Sequence, residues 1–108
     1  MRGVHLRFFV HEGERHGREL LFEWLLNQAR RAGISGGSAF RAVAGYGRHG
    51  VLHEEKFFEL AGNQPVQVVF LTSREQAERL LSHVADEGLR LVYSISETGI
   101  GVTGADGG

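Results

Sequence analysis

The chain has 108 residues, the size of one ordinary domain. With 42% hydrophobic and 23% charged residues and a net charge of −1, it lacks the clustered basic excess that nucleic acid or an anionic membrane surface requires. The absence of cysteine excludes disulfides, thiolate zinc sites and cysteine nucleophiles and points to the cytoplasm. No apolar run of about 18 residues and no signal-peptide pattern directs the chain into a membrane.

Val4, Leu6, Phe8 and Val10 alternate with His5, Arg7, Phe9 and His11, which predicts a strand. From His16 to Ala32 the period becomes helical, with Leu21, Trp24, Leu25 and Gln28/Ala29 recurring at helical spacing and Gly33 as the stop. Ser38 to Gly45 reads as a second strand, with Phe40, Ala42 and Ala44 on one face and Ala39, Arg41 and Val43 on the other. The segment 45–64 is an excursion that opens with the glycine-rich run Gly45-Tyr46-Gly47-Arg48-His49-Gly50. Within it, Val51 to Leu60 alternates as a half-exposed strand. Val66 to Thr72 is the most apolar strand. Ser73 and Gln76 have the spacing of a capping box, followed by a helical face of Ala77, Leu80, Leu81 and Val84 that ends at Gly88. Leu89, Leu91, Tyr93 and Ile95 alternate as the last strand, and residues 99–108 form a glycine-rich tail.

The order β-α-β-(excursion)-β-α-β predicts one α+β domain over 1–98, a ferredoxin-like split βαβ sandwich with two helices on one face of a mainly antiparallel sheet. The face away from the helices carries His5, Arg7 and Arg90 together with Phe9, Val92 and either Val69 and Leu71 or their neighbours. Such a mixed face predicts burial against further copies of the chain, as in the closed symmetric oligomers usual for small domains.

In this topology the loop after the first strand (12–17), the excursion (45–64) and the turn before the last strand (86–90) share one end of the sheet. They bring Arg15, His16, Arg48, His49, His53 and Arg90 to a rim that also has glycine-freed backbone N–H groups, a combination suited to an anion or phosphate.

Other chemistry finds little support. His49 and His53 are four residues apart, a spacing that serves a metal on a helix but spans about 13 Å on a strand. His5 and His11 are too far apart on one strand to share a metal. Gly45, Gly47 and Gly50 match a dinucleotide-binding glycine pattern with no helix after it. Glu54 and Glu55 are adjacent and face opposite sides of a strand, and no serine sits in a nucleophile elbow. No catalytic residue, cofactor or metal ligand is assigned, and Trp24 is expected in the core.

At Arg41-Ala42-Val43-Ala44-Gly45-Tyr46-Gly47 the chain resembles the PII-like proteins grouped as domain-of-unknown-function family 190. Arg15-His16-Gly17, Gly33-Ile34-Ser35-Gly36-Gly37-Ser38, Leu52-His53 and Asn63-Gln64-Pro65-Val66 follow the same pattern in order. The resemblance implies a trimer like those of PII and CutA proteins, with adenine nucleotides or similar effectors in clefts between subunits. It sets residues 45–53 at the T-loop position and 86–90 at that of a second ligand loop. That second loop is short here and lacks a glycine-rich phosphate-binding run, and no tyrosine stands at an obvious T-loop tip, so uridylylation is not implied.

The expected function is therefore a cytoplasmic homotrimeric regulator that binds a small anionic effector, with an adenine nucleotide as one candidate, and acts on a partner protein. The expected ligand residues are Arg41, Gly45, Tyr46, Gly47, Arg48, His53 and Arg90. Two rivals are a CutA-like trimer binding divalent metal and a small dimeric α+β barrel enzyme.

Overall fold

Period-two alternation over the first ten residues produces β1 (Arg2–His11), which buries Val4, Leu6, Phe8 and Val10. In the computed structural model of the chain, residues 1–46, 52–54 and 64–104 are described, the last strand of the excursion as backbone only. After β1 come β2 (Arg15–His16), β3 (Glu19–Leu20), α1 (Leu21–Arg31), β4 (Gly37–Arg41), β5 (Ala44–Tyr46), β6 (Leu52–Glu54), β7 (Pro65–Thr72), α2 (Arg74–Asp86) and β8 (Val92–Gly99).

Four strands form one antiparallel sheet in the order β4-β7-β1-β8. β1 is central, with Phe8 opposite Val68 on one side and Tyr93 on the other. Strands β1 and β4, joined through α1, run the same way with β7 between them, which is the split βαβ arrangement expected from the element order.

Both helices cover the face that carries Leu6, Phe8, Val68 and Phe70, and Leu21, Leu25 and Leu80 pack down onto it. Full burial of each large apolar side chain contributes about 1.5–3 kcal/mol relative to exposure. Phe8 and Phe70 meet edge to face, with centroids 6.3 Å apart. The other face carries His5, Arg7, Phe9 and His11 of β1, Gln67, Val69 and Leu71 of β7, Ser38 and Phe40 of β4, and Val92, Ser94, Ser96 and Thr98 of β8. Val69 and Leu71 are thus the outward residues of β7, while Val66, Val68, Phe70 and Thr72 point to the core.

The helix ends follow local chemistry. Ser73 accepts a hydrogen bond from the Gln76 N–H at 3.1 Å, as the capping spacing predicts. Each helix stops at a glycine with positive φ, Gly33 at 90° and Gly88 at 77°. At both ends the glycine N–H and the next N–H close back on the last turn, Ile34 onto Ala29 and Leu89 onto Val84.

Three element boundaries differ from the sequence expectation. The helix expected from His16 begins at Leu21, because Gly17 at φ 62° turns the chain into the small β2–β3 hairpin. The Glu14 carbonyl of that connection then accepts the Leu21 N–H at 2.7 Å, where the N-cap Leu20 offers no side-chain acceptor.

The strand expected over 38–45 stops at Arg41. The Ala42 N–H still bonds to the Pro65 carbonyl at 2.8 Å, and the chain then bends at Val43 and leaves the sheet as the β5–β6 ribbon. Phe40 consequently faces away from the helices, while Ala39 and Arg41 share the face of the core strand residues opposite them.

The last strand begins at Val92, since the turn at 87–88 and an irregular connection over 89–91 precede it. Arg90 therefore lies ahead of the strand and not on its outer face, and Leu89 and Leu91 pack against the core from this connection. Of the half-exposed strand expected over 51–60, residues 52–54 are β6 and the remainder lies outside the described residues.

Candidate functional site

The register brings three distant segments to one end of the sheet. His11 at the end of β1 pairs with Pro65 at the start of β7, Arg41 at the end of β4 pairs with Val66, and Val92 at the start of β8 pairs with Phe9. The convergence of the loops after β1, around the excursion and before β8 is thus a property of the fold.

On the β4 side of this end, the Glu12 N–H donates to the Gln64 carbonyl at 2.8 Å. The Arg41 guanidinium forks onto the Glu12 carboxylate, with Nε donating at 2.8 Å and one terminal nitrogen closing the pair. This pair is substantially exposed, so it adds at most about 1 kcal/mol to stability. A cation held so lightly is free to exchange its carboxylate for an incoming anion. Next to it, Gln64 is 1% exposed and its Nε2 has no hydrogen-bond partner among the described residues. A buried amide donor left unpaired costs about 1–3 kcal/mol, and a ligand oxygen would satisfy it only once the rim opens around it. The sequence holds no signal for this role, because a glutamine before the only proline reads as a solvated turn.

On the β8 side, Arg90 stands at the mouth of an open groove of about 940 Å³ between α2 and β8, floored by Phe8, Val84, Leu89 and Tyr93. Apolar walls with one cation at the edge suit a flat, partly charged ligand. Arg41 and Arg90 flank opposite margins of the sheet. Three inter-strand spacings of about 4.8 Å put β4 and β8 roughly 14 Å apart within one chain.

Gly45 and Tyr46 lie on β5, paired with His53 and Leu52 of β6, and Tyr46 is exposed. Gly47 and Arg48 lie outside the described residues, as do His49 and the His53 side chain of the metal alternative. Among the described residues, no three histidine or carboxylate side chains gather in a way that would hold a metal ion.

Between these two sides the β2–β3 hairpin is fastened to both helices around Trp24. The indole is buried, with the His16 ring against it at 4.7 Å and the His83 ring stacked on it at 5.6 Å. His16 Nε2 pairs with the Glu87 carboxylate and His83 Nε2 with Gln28 Oε1, each at 2.9 Å. Trp24 is a core residue, as its helical position predicted, and it also anchors the rim.

The model of domain-of-unknown-function family 190, described as Uncharacterized ACR, matches residues 3–92. A UPF0166 protein of Aquifex aeolicus (strain VF5) is 33% identical over 79 residues, 73% of this chain and 75% of the relative. Another from Methanocaldococcus jannaschii is 32% identical over 76 residues, 70% of this chain and 69% of the relative. Among solved structures, CPII, a nitrogen regulatory PII-like protein from Thiomonas intermedia K12 bound to ADP, AMP and bicarbonate, superposes with a TM-score of 0.67 at 16% identity, covering 94% of this chain and 91% of that one. A putative PII-like signaling protein from Thermus thermophilus gives 0.64 at 18% identity, over 91% and 88%. The fold is therefore that of the PII-like proteins, and no described helix is long and apolar enough to cross a membrane. With the family model spanning most of the domain and relatives at about one third identity, the chain belongs to domain-of-unknown-function family 190.

Proposed function

We propose that the protein is a PII-like regulator that binds an adenine nucleotide or a similar small anion in clefts between the subunits of a homotrimer. One observation carries the reading: the exchangeable Arg41 and the groove beside Arg90 lie at the same end of the sheet but on opposite margins. A closed ring that sets one margin of the sheet against the next would bring the two to one ligand from neighbouring copies. In this arrangement the apolar groove receives the base, Arg90 and Arg41 meet phosphate or carboxylate oxygens, and Gln64 Nε2 donates to a ligand oxygen. Gly45 and Gly47 let backbone approach closely, and Tyr46, Arg48 and His53 complete the contact from the excursion. Ligand binding then changes how the excursion over 45–64 engages or releases a partner protein. The function is one of binding and regulation rather than catalysis.

The test is thermal unfolding with ADP, AMP, ATP and bicarbonate, alone and paired, with molar mass measured by light scattering. A ligand at about 100 times its dissociation constant adds ~2.7 kcal/mol, which raises Tm by several degrees. The expected result is a nucleotide-specific rise in a particle of three times the chain mass, reduced in Arg41→Ala and in Arg90→Ala. Equal behaviour with every nucleotide and with buffer overturns the reading.

A further inference from the structure

The loop after β1 is fastened through its backbone around Glu12. The Glu12 N–H donates to the Gln64 carbonyl at 2.8 Å, the Glu14 N–H to the His11 carbonyl at 3.1 Å, and Glu14 Oε1 accepts the His11 N–H at 2.8 Å. Arg41 is fixed as well, because it ends β4 opposite Val66 and the next N–H, of Ala42, bonds to the Pro65 carbonyl. With both backbones held, an exchange of partners at Arg41 needs movement of side chains alone.

The contact between those side chains is specific in origin and imperfect in form. Arg41 Nε and one terminal nitrogen both donate to Glu12 Oε2, across 29 positions of chain. The other arginine–carboxylate pairs among the described residues stand at 3.6–3.9 Å, two of them one turn apart on α2. Yet the Glu12 clasp uses a single oxygen, where a guanidinium fork is best matched by two in parallel. Both side chains also keep solvent access, at 55% for Arg41 and 26% for Glu12. Glu12 thus fills the donor pair of Arg41 with an oxyanion of the protein's own, in a geometry that a two-oxygen anion improves on. We infer that Glu12 is a built-in competitor for Arg41, which a phosphate or carboxylate ligand of the rim must displace and which thereby sets its affinity. This deepens, and rests on, the reading of Arg41 as a ligand residue. It uses contacts within one chain and holds whichever copy supplies the rest of the cleft.

ADP is the probe, titrated by calorimetry into the wild type, Glu12→Gln, Glu14→Gln, Arg41→Ala and the Glu12→Gln/Arg41→Ala double variant. Glu12→Gln is expected to bind ADP about two- to fivefold tighter than wild type, the factor that an exposed ion pair of up to about 1 kcal/mol withholds. Glu14→Gln removes an equal charge from the same loop, but from a carboxylate engaged by the His11 N–H, and is expected to match wild type. The gain is also expected to vanish in the double variant, which should bind no tighter than Arg41→Ala. Equal affinity in wild type and Glu12→Gln overturns the competitor, and Arg41 stays a ligand residue if Arg41→Ala still weakens binding. An equal gain in Glu14→Gln, or a gain kept without Arg41, overturns it too, since either is an effect of charge at a distance. No binding of ADP to wild type or Glu12→Gln overturns the functional reading and the competitor with it.

Discussion

At the scale of single residues, two glycines stand where the backbone or its neighbours leave no choice, one at the far end of β4 and one in the turn that leads to Arg90. Gly37 sits under the Phe70 ring, and a Cβ there would stand 2.4 Å from Cε1. Since Phe70 is buried, Gly37→Ala forces the core to shift and is expected to cost about 1–3 kcal/mol in urea unfolding. Gly88 turns the chain from α2 toward Arg90 at φ 77°, so Gly88→Ala is expected to cost ~1–2 kcal/mol by the same measurement. Its neighbour Arg90 touches none of this and should tolerate alanine with little loss of stability. That contrast separates residues that shape the fold from those that would serve the rim. Gly88 was legible as a helix stop, whereas the need for glycine at Gly37 comes from a ring 33 residues away in the chain.

At the scale of elements, helices and strands followed the sequence where local chemistry decides. The Ser73 cap was readable because its acceptor and the receiving N–H lie three residues apart. Ser73→Ala is expected to lower stability by about 1 kcal/mol, seen as an earlier thermal transition. The β2–β3 hairpin was not readable, since its four paired residues carry no alternation and hand directly over to a helix. His16 holds that hairpin against Trp24 and Glu87. Trp24 is the only tryptophan, so His16→Ala should red-shift its fluorescence by admitting water to one side of the indole, with only a small change in Tm. An unchanged emission maximum would show that the hairpin is held by other contacts.

At the scale of the whole molecule, the antiparallel order places the two sides of the rim on opposite margins of the sheet. Arg41→Ala and Arg90→Ala variants, each defective alone, are expected to recover part of their nucleotide response when mixed and reassembled. A mixed ring contains some clefts that take both side chains from unaltered positions. If the response is as weak in the mixture as in the separate variants, the two arginines do not share a cleft.

The sequence by itself determined the element order, the buried faces of β1 and β8 and the helix stops at Gly33 and Gly88. Each of these rests on periodicity or on partners a few residues apart, where propensity and capping act. It also implied the shared end of the sheet, because the connection pattern leaves few ways to arrange four such strands. Tertiary structure alone decided that β4 ends at Arg41, that Gln64 is buried with an amide unpaired among the described residues and that Trp24 lies between two imidazoles. These depend on which strands become neighbours and in what register, and pairing between residues tens of positions apart leaves no periodic trace in the chain.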